Sequence, residues 1–117
     1  MTALHISERN SGGVTILDLE GKVLLGEEST ALREAIRGLL QAGKKSILLN
    51  LSGVTAIDSS GLGTLVSCYA TARKEGARLG LYGLSEKVND IMSVTKLATV
   101  FDLYEDEKAA TAGTATM

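Results

Sequence analysis

The stretch Ile47-Leu48-Leu49-Asn50-Leu51 is apolar at four of its five positions. A strand with one wet face alternates apolar and polar residues, whereas a near-continuous apolar run needs cover on both faces. That is the situation of a parallel strand with helices outside it, and parallel neighbours require long crossovers. The flanking sequence supplies them. Upstream, from about Glu28, Ala31, Leu32, Ala35, Ile36, Leu39 and Leu40 share one helical face, with Arg33, Glu34 and Arg37 away from it. Gly43 reads as the C-terminal cap of that helix, with Lys44 and Lys45 at the negative end of its dipole. Downstream, a second helix runs from about Ser60 to Glu75, burying Leu62, Leu65, Val66, Tyr69 and Ala72, and Gly76 ends it. Strand 78–83 follows, then Ser85 as the N-cap of a helix with Val88, Ile91, Met92 and Thr95 on one face, then strand 98–104. Before the first helix, Leu4 and Ile6 alternate with polar residues, as does the segment 14–19. The turn formers Asn10-Ser11-Gly12-Gly13 between them predict a hairpin. Val23-Leu24-Leu25 is a further short extended piece, broken by Gly26. The pattern predicts an α/β sandwich built on a mixed, largely parallel sheet.

A length of 117 residues predicts one domain. Twelve Lys and Arg stand against 14 Asp and Glu. Residues 1–58 hold six basic and seven acidic side chains, and residues 59–117 hold the same, so each half carries −1. Neither half has the basic footprint that nucleic acid or an anionic membrane would require. Tyr69, Tyr82, Phe101 and Tyr104 are too few and scattered to stack bases. One cysteine and one histidine exclude an internal disulfide and a zinc ligand set, and no cofactor motif is evident. No apolar run approaches the ~20 residues of a membrane span, and residues 1–12 lack the pattern of a signal peptide. The expectation is a soluble, cytoplasmic protein. The Ala-, Thr- and Gly-rich segment 109–117 is expected to fray as a flexible tail.

One segment carries chemistry. In 54–65 (VTAIDSSGLGTL) an extended apolar piece delivers an acid and two hydroxyls, and then a helix begins. Asp58 or Ser59 can cap the free N–H groups of that helix. Gly61 and Gly63 each cost up to ~1 kcal/mol in a helix relative to alanine, so their missing side chains serve some close approach. A capping turn packed against the sheet is the plain reading. The functional reading is a hydroxyl at a positive helix end, where a phosphate would add about −1.5 to −2 charges and three acceptors.

The run Ile57-Asp58-Ser59-Ser60-Gly61-Leu62-Gly63 resembles the signature of the bacterial anti-sigma factor antagonists, which are single STAS domains. Residues 47–52 are similar to that family's buried strand and following turn, and residues 80–84 and 88–101 also fit its pattern. The resemblance covers roughly residues 3–108, giving a STAS domain over 1–108 with the tail beyond it. It implies a sheet of four or five strands with helices mainly on one side. It also implies a non-enzymatic switch in which Ser59 is phosphorylated by an anti-sigma factor that is itself an ATP-dependent serine kinase. Unphosphorylated antagonist would bind that anti-sigma factor and release the sigma factor; phosphorylation at Ser59 would abolish binding, and a phosphatase would reset it. Asp58, Ser60, Gly61 and Gly63 would form the partner surface. Family members often carry an aspartate where Leu24 stands here, and Glu27 or Glu28 could supply that acid from a slightly longer loop. The alternative is a structural STAS subunit of a signalling scaffold or lipid-transport complex, docking constitutively through the same surface.

Competing motifs are weak. A hydrolase would need His5, read as exposed on an edge-like strand, to reach Ser59, and no Gly-x-Ser-x-Gly elbow exists. Gly61-Leu62-Gly63 lacks the third glycine of a dinucleotide fingerprint, since Val66 stands there, and no phosphate-binding Gly-Lys-Ser/Thr loop occurs. Cys68 reads as a packing residue. Glu105, Asp106 and Glu107 read as the acidic first turn of a last helix.

Overall fold

The computed structural model describes residues 4–24, 26–94 and 101–115, with the side chains of 114 and 115 left aside. Five strands and four helices alternate as β1 (Leu4–Ser11), β2 (Val14–Val23), α1 (Glu27–Gln41), β3 (Ser46–Ile57), α2 (Ser59–Lys74), β4 (Arg78–Tyr82), α3 (Glu86–Val94), β5 (Asp102–Tyr104) and α4 (Glu107–Ala115). The strands lie in sequence order, β1-β2-β3-β4-β5. The β1–β2 pair is the expected antiparallel hairpin, turning at Gly12 and Gly13 with both φ angles positive. Every later pair is parallel.

That order explains the layering. Parallel crossovers are right-handed, so three successive crossovers in one direction deposit α1, α2 and α3 on the same face. Leu32, Ile36 and Leu39 of α1, Leu62, Leu65 and Ala72 of α2, and Val88 and Met92 of α3 all join one core with Leu17, Leu19, Ile47, Leu49, Leu51, Leu79 and Leu81. The opposite face carries a second, smaller cluster of Val14, Ile16, Leu48 and Tyr82, and it is covered by Ala110 of α4. Only a helix that is not a crossover can reach that side. The run 47–51 is thus buried from both directions, with Ile47, Leu48 and Leu49 fully enclosed.

Three expectations change. Val23 does not open a separate strand, because β2 runs through it; Leu25 lies outside the described residues. Strand β3 continues past Leu51 to Ile57, accommodating two irregularities against β2 near Asp18/Glu20 and Gly21/Lys22. At the first of these, a Cβ on Gly53 would meet the Leu19 carbonyl oxygen at 2.8 Å, so only glycine fits. The segment expected to fray from residue 109 is instead helical to Ala115. Small residues bury little, but Ala110 sits flush on the sheet, and a polar network fastens the start of α4. In that network Arg9 donates to Asp18 at 2.6 and 3.2 Å, to the Tyr82 hydroxyl at 3.1 Å, and to both carboxylate oxygens of Glu107. Tyr82 donates in turn to Glu107 at 2.9 Å, and Asn50 Nδ2 to Asp18 at 2.8 Å. Thr95 and the segment 98–100, expected on a helix face and in a strand, lie outside the described residues.

Candidate functional site

In a parallel sheet every strand ends at the same edge, and each following helix starts there. The beginnings of α1, α2 and α3 therefore share the edge formed by the ends of β2, β3 and β4. At its centre β3 passes directly into α2. Asp58 is extended, with φ −103° and ψ −178°, and acts as the N-cap: its Oδ1 accepts the Gly61 N–H at 2.8 Å. Its own N–H donates to the Val23 carbonyl at 3.3 Å, which ties the start of α2 to the end of β2.

With Asp58 as the cap, Ser59 becomes the first residue of the helix and has its side chain exposed. Among the described residues none bonds to its hydroxyl. Ser60 is half-buried, and its carbonyl accepts the Thr64 hydroxyl at 3.0 Å. Thr64 is buried, so of these three hydroxyl-bearing residues Ser59 is the most exposed. No acidic side chain occupies the first turn of α2 itself. The unpaired N–H groups and dipole of that turn favour an added negative charge, while the Asp58 carboxylate opposes it.

The two glycines separate. Gly61 is buried, and a Cβ there would land on the Val23 carbonyl oxygen and lie 2.8 Å from the Ile57 side chain. The close approach expected at Gly61 is thus made inside the molecule, by the backbone at the end of β2 where α2 crosses it. Gly63 is exposed, with nothing within 4 Å of where a Cβ would be, so the outer surface there is open. The sequence signalled a close approach at this turn but not its target, Val23, because that neighbour is 38 positions away in the chain.

Glu27 and Glu28 form the acidic first turn of α1; Glu27 is exposed and Glu28 half-buried. They share the sheet edge with Ser59. The N-cap of α1 is Gly26, at φ 101°, with no side-chain cap. Leu24 contributes its carbonyl instead, accepting the Ser29 hydroxyl at 2.8 Å and the Ser29 N–H at 3.2 Å. An acid is not needed at position 24 for that turn to form.

The remaining candidates lie elsewhere. His5 is exposed on edge strand β1, opposite Glu20. Cys68 is buried beside α1, in the wall of a cavity of about 100 Å³ that also involves Arg33 and Arg37. Burial pushes its thiol up to about 11, so it stays protonated at neutral pH. Asp106, within the acidic run, caps α4 by accepting the Ala109 N–H at 2.9 Å.

The edge thus brings together a capping aspartate, an exposed serine and a glycine buried against the neighbouring strand. The STAS domain matches residues 5–110, and this chain belongs to the STAS domain family. It is 33% identical over 66 residues to a Thermotoga neapolitana protein named as a candidate anti-sigma factor antagonist, a homologue of TM1081; the match takes in 56% of this chain and 58% of that protein's length. It is 27% identical over 74 residues to the anti-sigma-B factor antagonist of Staphylococcus aureus, covering 63% of this chain and 68% of that one. The crystal structure of an anti-sigma factor antagonist from Mycobacterium paratuberculosis superposes with a TM-score of 0.82 over 96% of this chain and 94% of that chain; at 21% identity this is a likeness of fold. Among the described residues no helix is long and apolar enough to cross a membrane.

Proposed function

We propose that this domain is an anti-sigma factor antagonist whose docking surface is the start of α2, switched by phosphorylation of Ser59. Its partner is an anti-sigma factor with serine kinase activity: binding releases the sigma factor, modification ends binding, and a phosphatase restores it. One observation carries the reading. Asp58 takes the capping role, so the adjacent exposed hydroxyl of Ser59 can change chemically without unmaking the helix. A phosphoryl group there adds about −1.5 to −2 charges to an edge that already holds Asp58, Glu27 and Glu28. The helix start can accept part of that charge, whereas a protein seated over Ser59 would have to desolvate it. Ser60, Gly63, Glu27 and Glu28 supply the rest of the contact surface; Gly61 shapes it from within.

The test is to form the complex with the anti-sigma kinase, add ATP, and follow dissociation beside intact mass and phosphosite mapping. Wild type should gain one phosphate on Ser59 and leave the complex. Ser59→Ala should stay bound in ATP, and Ser59→Asp should bind roughly 100-fold more weakly, about 2.7 kcal/mol. Phosphate on Ser60 or Thr64 would overturn the residue assignment. Equal binding with and without ATP would mark a constitutive docking subunit.

A further inference from the structure

The far face of the sheet holds a different kind of contact. Val14, Ile16, Leu48 and Tyr82 are all at most 5% exposed there, under a nine-residue helix in which, among the described side chains, only the methyl of Ala110 is fully enclosed. Helix α4 reads EKAATAGTA, with two threonines and a glycine and no basic residue in its last turn. Such a helix is marginal away from its docking surface. Its first turn is held by Glu107 to Arg9 and to the Tyr82 hydroxyl. Its last turn is held by Arg78, which donates to the Gly113 carbonyl at 3.1 Å, and by Gly113 lying against the Tyr104 ring. The Arg9 and Glu107 side chains are 40% and 41% exposed, so water competes for their pairing. All five strands complete their ladders without α4, which follows the last of them through two residues, Glu105 and Asp106.

From these contacts we infer that α4 is a releasable strap: the Arg9–Glu107–Tyr82 clasp latches it, and opening bares Val14, Ile16, Leu48 and Tyr82 while the sheet and the α1–α3 face remain folded. The chain would then own a second apolar surface, on the side opposite Ser59, that is hidden in the latched form. Local opening of this kind draws on the least stable part of a fold and needs no disturbance of the core.

Thiol labelling tests it within one molecule. In a Val14→Cys variant the new thiol reports the far face, and the native Cys68, buried between α1 and α2, reports the near face. Adding Glu107→Gln should speed labelling at position 14 about tenfold and leave the Cys68 rate unchanged. Acceleration of both thiols together, or of neither, would overturn the strap. Amide exchange on the unsubstituted chain guards against a poorly folding variant. The α4 amides should exchange as a block at least 100-fold ahead of those of residues 47–51, and exchange at a common rate would equally overturn it.

Discussion

At the start of α2, Asp58 accepts the N–H of Gly61 three residues on; at the start of α4, Asp106 accepts the N–H of Ala109 in the same way. The two turns share a cap, and they differ in the residue next to it. After Asp58 comes Ser59, exposed and unengaged by its surroundings; after Asp106 comes Glu107, bound by Arg9 and Tyr82. The first helical residue points outward, away from its own backbone ladder, so its partner must come from outside the helix. In α4 the partners are Arg9 of β1 and Tyr82 of β4. In α2 no described residue takes that place, which leaves it to the proposed partner. The third position differs as well: Ala109 is exposed, whereas Gly61 is buried against Val23.

The largest effect should come from making the third positions alike. Gly61→Ala puts a methyl into the Val23 carbonyl and should destabilise the fold by about 2–3 kcal/mol, read as a lower urea midpoint. Gly63→Ala, in open space, should instead stabilise it by up to ~1 kcal/mol. Equal effects would mean that the two glycines serve one purpose. Removing the caps probes the next level. Asp58→Ala should cost about 1 kcal/mol of global stability, while Asp106→Ala should quicken amide exchange in α4 and barely move the midpoint. A comparable global loss from both would erase the distinction between core and strap.

The smallest effect is acid. Hydrogen bonding from Arg9, and then from Tyr82, holds the Glu107 carboxyl below its usual range, and Arg9 does the same to Asp18, helped by Asn50 against the opposing effect of burial. Burial, and then the hydrogen bond to Glu107, pushes the Tyr82 phenol up to about 12, so it remains a donor throughout. Carboxyls with lowered folded pKa values add stability above their unfolded values near 4 and lose it as pH falls through the folded ones. The gap in thermal midpoint between wild type and Glu107→Gln should therefore be widest near neutrality and shrink toward pH 3. A gap that stays constant over that range would show that the carboxylate charge contributes nothing.

Periodicity was enough to read the order of strands and helices, because each crossover helix must turn one apolar stripe inward and each buried strand must be apolar throughout. The capping of α3 by Ser85 was legible because a capping oxygen and the N–H it accepts are neighbours in the chain, and for α2 the same logic narrowed the cap to Asp58 or Ser59, of which the structure uses Asp58. Nothing in residues 109–115 announces a docked helix, since its hold depends on Arg9, Tyr82 and Tyr104, which only the folded sheet brings beneath it. Local sequence thus placed Ser59 at the mouth of its helix, as cap or as first residue. That Ser59 is exposed, and that Gly61 cannot be replaced, was decided by tertiary structure: among the described residues no neighbouring element covers the first, and the end of β2 comes to rest against the second.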